Sequence, residues 1–193
     1  MAGTTEAEPR PMRADARRNR QRILDAAAAI FAAEGIGVPV DAVAERAGVG
    51  IGTLYRHFPT KEALFEAIVV DRVDSMLAKA TAPNEGDDAA EHFFSFLTTM
   101  ASEVSTKHDL TDALAQAGFD LKARCADKFD QLRAAIDTLR QRAVDQGSVR
   151  GDVGTDEVLS LVVGVCVGSG RSGAACPAER LVGVVCDGLR VRS

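Results

Sequence analysis

Apolar residues in this chain recur at steps of three and four, and nowhere do they alternate with polar ones over a useful length. That period lines them along one side of a helix, so the pattern admits an all-α fold and argues against a sheet. The core material agrees. Only 5 % of the 193 residues are aromatic, with no tryptophan and a single tyrosine, so alanine, leucine and valine must fill most of the interior. Side chains of that size let helices pack closely. A chain this long buries about 70 % of its unfolded surface and needs no staples.

About nine helices are expected. Residues 1–14 are polar, carry two prolines and read as a disordered basic arm. A helix then runs from about Asp15, a plausible N-cap, to Glu34, with Ile23, Leu24, Ala27, Ile30 and Phe31 on one side. Gly35 ends it. Two short helices follow, about Val40–Ala47 and Ile51–His57, separated by Gly48-Val49-Gly50. Pro59 stops the second of these, and Thr60 caps a helix of about 61–80 whose inward stripe includes Leu64, Phe65, Ile68, Val69, Val73, Met76 and Leu77. After the loop 82–88 come helices near 89–104, 110–117, 121–146, 155–168 and 177–190. In the longest of these, Cys125, Phe129, Leu132, Ile136, Leu139 and Ala143 form a core-facing seam. Gly147 terminates it.

Charge is divided unevenly. Residues 1–61 carry two net positive charges and the rest seven net negative ones, and six arginines but one aspartate lie between Arg10 and Arg22. A basic beginning on an acidic body suggests that one part meets a polyanion. No apolar run reaches the ~18–20 residues that cross a bilayer, so no membrane partner is expected. The first fourteen residues lack the apolar core of a signal peptide, which makes the cytoplasm the expected compartment. The cysteines Cys125, Cys166, Cys176 and Cys186 show no metal or redox spacing and read as reduced, buried thiols. The histidines His57, His92 and His108 are scattered. With no nucleophile–base spacing, no phosphate-binding glycine loop and no metal cluster, neither an enzyme nor a cofactor nor a metal is expected.

The informative segment is 40–61. Two short helices meet at a glycine-containing turn, which is a helix-turn-helix arrangement. Ala44 and Ala47 are small enough for the second helix to cross nearby, Gly48 permits the positive φ of the turn, and Val49 and Leu54 pin the pair. Ile51, Thr53, Tyr55, Arg56 and His57 are left for a groove and its phosphates.

On these residues the chain resembles the TetR family of transcriptional regulators. The resemblance is specific over about residues 17–76. It rests on Ile23-Leu24, Ala26-Ala27 and Phe31, on Val43-Ala-Glu-Arg-Ala-Gly-Val49, on Gly52-Thr-Leu-Tyr-Arg-His-Phe58, and on Lys61-Glu-Ala-Leu64. The resemblance implies a helix-turn-helix domain over 15–60 with its motif at about 39–58, a connecting helix over 61–80, and an effector-binding and dimerising body over 81–193. It implies that Ile51, Gly52, Thr53 and Arg56 face base edges of a double-stranded DNA operator. Of these, Arg56 alone can reach a guanine with two hydrogen bonds. Tyr55, His57 and Lys61 would hold phosphates, although His57 also suits helix packing. Pro39 and Gly50 stand where the family often has a capping serine or threonine. Affinity would then lean on Arg17, Arg18, Arg20 and Arg22.

The helix over 155–168 is apolar nearly all round, so it must be covered all round. A second copy is the simplest cover, giving a homodimer through Leu161, Gly164, Val165, Gly168, Leu181, Val184 and Val185, as the resemblance also implies. Five of the eight phenylalanines fall between 93 and 129. Phe93, Phe94, Phe96, Phe119 and Phe129, with Met76 and Met100, either line an apolar effector pocket or fill the core. A small apolar effector that frees the operator would make the chain a repressor.

Overall fold

A computed structural model of the chain describes residues 10–83, 88–105, 121–172 and 177–191. Eight of the nine expected helices fall within them, and all eight are present. The ninth, at about 110–117, lies outside the described residues. In chain order they are α1 (Arg10–Glu34), α2 (Val40–Ala47), α3 (Ile51–His57), α4 (Lys61–Thr81), α5 (Ala89–Ser105), α6 (Leu121–Arg124) with α7 (Ala126–Asp145), α8 (Thr155–Ser172) and α9 (Ala178–Leu189). Among the described residues, extended pairing is confined to a single bridge between Val149 and Arg190. None of the described helices is long and apolar enough to cross a membrane.

Three boundaries differ from the sequence expectation. Helix α1 begins at Arg10, so residues 10–14 belong to it rather than to a disordered arm. Pro11 does not prevent this, because a first-turn N–H has no partner within the helix anyway. Asp15 is therefore not a cap; its carboxylate instead pairs with Arg18 one turn on. Helix α8 continues past Gly168 to Ser172. The expected single helix over 121–146 is interrupted at Cys125, whose backbone (φ −111°, ψ 20°) leaves the helical region. Its carbonyl still accepts from the N–H groups of Lys128 and Phe129, so the chain resumes at once as α7.

The chain divides into two compact units, residues 1–71 and 72–193. In the first, α1 buries Ile23, Leu24, Ala27, Ile30 and Phe31, and α2 packs against it through Val43, Ala44 and Ala47. Phe31 meets Phe65 of α4 with ring centroids 4.9 Å apart. The turn after α2 is closed twice: the N–H of Gly48 donates to Glu45 and that of Val49 to Ala44, both at 3.0 Å. Such paired bonds satisfy the last carbonyls of a helix and need a left-handed residue between them. Gly48 supplies it, at φ 63°.

In the second unit α5 is the central element and packs against α7, α8 and α9. Its Phe93, Phe96, Leu97 and Ala101 meet Ile136, Leu139 and Ala143 of α7, Val158, Val162 and Cys166 of α8, and Val182, Cys186 and Leu189 of α9 in one buried cluster. The seam expected on α7 holds at those three positions, while Phe129 is exposed. Ion pairs fix α8 to α7. Arg133 grips Asp156 through two 2.6 Å bonds. The Thr155 hydroxyl donates to Asp137, which also accepts from Arg140 at 3.2 Å.

Two outcomes test this packing. Gly48→Ala places a side chain in the left-handed region and should lower the melting temperature, at a cost of about 1–2 kcal/mol, whereas Gly52→Ala, in an open helical site, should raise it. Equal melting temperatures would mean that the turn does not depend on its left-handed residue. The Asp137 carboxyl is held below its usual 3.8, first by the Thr155 hydroxyl and then by Arg140. Its stabilising effect is thus complete above that pH and disappears as the pH falls through the lowered value. Asp137→Asn should melt earlier than the parent at neutral pH, and the gap should close in acid.

Candidate nucleic-acid interface

Helix α3 has two faces because Leu54, fully buried, anchors one of them. Four residues later Phe58 is buried as well, and its N–H closes the helix onto the Leu54 carbonyl at 2.8 Å. The residues one and two turns round the helix must then point outward. Ile51 is 41 % exposed and Tyr55 47 %, with Gly52 and Arg56 exposed beside them. Thr53 and His57 sit half-buried at the edges of this face. For Ile51 the exposure is informative, since nothing within the first unit covers it. The face is thus apolar at one end, aromatic in the middle and cationic at Arg56, with no side-chain cap at Gly50 in front of it.

Of the arginines of α1, Arg17, Arg18, Arg20 and Arg22 separate into two groups. Arg17 and Arg18 are exposed, and Arg18 pairs with Asp15. Arg20 is half-buried, its guanidinium 5.4 Å from the centre of the Phe58 ring. Arg22 reaches back to the Gly48 carbonyl at 3.5 Å, and a Cβ on Gly48 would come within 2.7 Å of its guanidinium. So Arg17 and Arg18 are exposed to solvent, and Arg20 and Arg22 lie against the helix-turn-helix. Lys61 is placed differently from a free phosphate contact. Its ammonium donates to the Val38 carbonyl at 2.6 Å and is half-buried. The hydroxyl of Thr60 caps α4, accepting from the Ala63 N–H at 3.1 Å. Pro39 opens α2 without a side-chain cap, as the sequence implies.

Sequence reasoning missed the three contacts that join these residues: Arg20 with Phe58, Arg22 with Gly48, and Lys61 with Val38. Each links positions more than twenty residues apart. A carbonyl acceptor leaves no mark in a sequence, and a phenylalanine that receives a cation looks like any core phenylalanine.

Among its described residues the body offers little competing chemistry. Among the described residues there is no group of three or more metal-ligating side chains. Cys125, Cys166 and Cys186 are buried and unpaired with one another. Burial pushes the Cys166 and Cys186 thiols up, away from the reactive thiolate. Cys176 and His108 lie outside the described residues. Met76, Phe93, Phe94, Phe96 and Met100 are all buried in the core cluster. Phe119 is outside the described residues, and Phe129 lies apart at 36 % exposure. A groove of about 520 Å³ runs between α5 and α9, lined by Asp88, Glu91, Asp187 and Arg190 among others; of the expected phenylalanines, Phe94 contributes to it.

The comparisons with known proteins agree with this geometry. Residues 23–68 match the model of the bacterial regulatory proteins of the tetR family, and residues 88–191 match that of the SbtR-like transcriptional regulator C-terminal domain. A TetR transcription regulatory protein from Mycobacterium vanbaalenii is 40 % identical, with a TM-score of 0.76, over 94 % of this chain and 100 % of that one. The TetR regulator SCO0520 of Streptomyces coelicolor is 31 % identical, with a TM-score of 0.72, over 90 % and 99 % of the two chains. The transcriptional repressor KstR of Mycobacterium tuberculosis is 31 % identical over 138 residues, covering 70 % of this chain but 63 % of its own length. The first unit, with its helix-turn-helix, and the second each match a model of transcriptional regulators, and the chain belongs to the TetR family of DNA-binding transcriptional regulators.

Proposed function

We propose that this chain is a homodimeric repressor that reads a near-palindromic operator with α3 and leaves it when a small apolar effector binds the body. The observation that carries the reading is the outward face of α3, where Ile51, Gly52, Tyr55 and Arg56 stand exposed while Leu54 fixes the helix from behind. Arg56 supplies the one two-pronged donor of that face, suited to guanine O6 and N7. Thr53 adds a methyl and a hydroxyl at its edge. Tyr55, His57, Arg17 and Arg18 would hold phosphates and set the register. Repression is the role named for KstR, and the proposal extends it to this chain.

The dimer is supported by α8 and α9. Leu161 is 48 % exposed, Val163 46 % and Val184 66 %, with Val165, Leu181 and Val185 half-buried beside them. Gly164, Gly168, Gly183 and Gly188 lie within these helices, and a Cβ at any of them would meet nothing within 4 Å. Each glycine costs a helix about 1 kcal/mol relative to alanine, and a second copy crossing closely would offset that. A two-fold dimer sets its recognition helices about 34–36 Å apart, matching one turn of DNA.

Effector release is supported by the course of α4. One end holds Lys61 and Leu64 in the first unit, while Met76 and Ala80 lie in the core cluster of the second. Phe93, Phe96 and Met100 belong to the same buried cluster, so a ligand entering among them must bind a rearranged body. It shifts the equilibrium only by as much as it prefers that rearranged state. A coupling of about 1–3 kcal/mol suffices for a clear loss of DNA affinity.

Two measurements test the reading. Arg56→Ala should weaken operator binding by about 1–3 kcal/mol and relax the preference at one base pair; unchanged affinity and preference would remove α3 from the groove. In sedimentation the parent chain should be a dimer, and Gly164→Leu should shift it toward monomer. A parent chain that sediments as a stable monomer would overturn the interface.

A further inference from the structure

Ile51 opens α3 with its side chain in solvent, and it stands between two glycines. A Cβ built on Gly50 or Gly52 would meet nothing within 4 Å, so the space on either side of Ile51 is open. Among the described residues of the first unit, Ile51 and Tyr55 are the large apolar side chains left exposed. They are four positions apart, so they lie one above the other on the outward face that also carries Arg56. Single exposed apolar residues are common on protein surfaces. What distinguishes Ile51 is its place on the face proposed to meet base edges.

The edges of a major groove are polar at every base but one. Adenine, guanine and cytosine present donors and acceptors there, while thymine adds a C5 methyl group. A side chain made of carbon alone can neither donate nor accept. Set against guanine N7, adenine N6 or cytosine N4, it would strip water from a polar group and give no bond in return. Set against a thymine methyl, it buries apolar surface on both sides. We propose that Ile51 reads a thymine by its methyl group, as a specificity-determining residue beside the guanine proposed for Arg56. An isoleucine reaches only two bonds beyond its Cβ. The bare glycines on either side let the α3 backbone come close enough for that contact.

The helix also sets the spacing of the two bases. Five residues separate Ile51 from Arg56, a rise of about 7.5 Å. Base pairs are about 3.4 Å apart. With α3 lying along the groove, the thymine falls within about three base pairs of the guanine, in the same half-site.

The inference rests on the DNA-binding reading above, and its test keeps the two apart. The probe is a duplex selected by the parent chain from a randomised library. Each thymine of one half-site is replaced in turn by deoxyuridine, which removes the methyl and leaves base pairing and charge as they were. For the parent chain one such replacement, near the guanine that Arg56→Ala ceases to distinguish, should cost about fourfold in affinity, the contribution of one buried methyl group. Ile51→Ala should bind the thymine and uracil duplexes alike. Its melting temperature should be no lower than the parent's, because Ile51 is exposed and alanine is the better helix former. Its slope of log affinity against log salt should be unchanged, because no charge is altered.

A uracil penalty that persists in full in Ile51→Ala would place the methyl against another side chain. If it vanishes instead in Thr53→Ser, which loses only a methyl, that side chain is Thr53. Either result overturns the inference, as does a selected half-site with no methyl-sensitive thymine, and each leaves the role of Arg56 standing. A parent chain that enriches no duplex, or an Arg56→Ala variant with the parent's affinity and preference, would overturn the DNA-binding reading itself, and the inference with it.

Discussion

The left-handed turn at Gly48 is the constraint on which the reading head depends. α2 is only eight residues long and α3 seven, and neither starts with a side-chain cap. Isolated helices of that length do not persist in water. They persist here because the turn closes the last carbonyls of α2 and brings α3 back against α2 with Leu54 buried. Once Leu54 is buried, the helical period alone decides that Ile51, Gly52, Tyr55 and Arg56 face outward. The direction of the exposed face of α3 is thus a consequence of one backbone angle and one buried leucine. Arg22 and Arg20 brace the arrangement from α1 through Gly48 and Phe58.

The body follows a different logic. Its centre is α5, apolar on more than one side, with α7, α8 and α9 arranged about it. α5 contributes Phe93, Phe94 and Phe96 to that cluster. α8 and α9 use Val158, Val162, Cys166, Val182 and Cys186 inward, and still carry Leu161, Val163 and Val184 outward. Helices with apolar residues on both sides have two jobs, and glycine on the outward side keeps that surface low enough for another helix to approach. The bidentate Arg133–Asp156 pair and the Thr155–Asp137 bond hold the start of α8 in place. The Arg133–Asp156 pair is water-exposed and contributes orientation more than stability, whereas Thr155 is buried beneath its bond to Asp137.

Most of this was legible in the sequence where periodicity or a backbone requirement spoke. The stripes of α1, α4 and α7, the turn at Gly48, the stop at Gly147 and the Thr60 cap all follow from residue type and spacing. The break at Cys125 was not legible, because no glycine or proline marks it. The early start of α1 was hidden by Pro11, which reads as a breaker but is tolerated in a first turn. Long-range contacts to backbone carbonyls leave no pattern, so Lys61 read as a phosphate contact with no sign that its ammonium also reaches the Val38 carbonyl. The phenylalanines between 93 and 129 kept two readings because aromatic residues at helical spacing look the same around a cavity as in a solid core. Of the residues expected around a pocket, Met76, Phe93, Phe94, Phe96 and Met100 are buried in the core cluster, Phe129 is exposed, and Phe119 lies outside the described residues.

The central claim is that the outward face of α3 enters a major groove. Methylation interference on a duplex selected by the chain tests it most directly, because a methyl group on guanine N7 occupies the place of one hydrogen-bond acceptor in that groove. The account predicts interference at guanines in two symmetric half-sites, with centres about 34–36 Å apart. Interference confined to adenine N3, in the minor groove, or absent from both grooves, would contradict it.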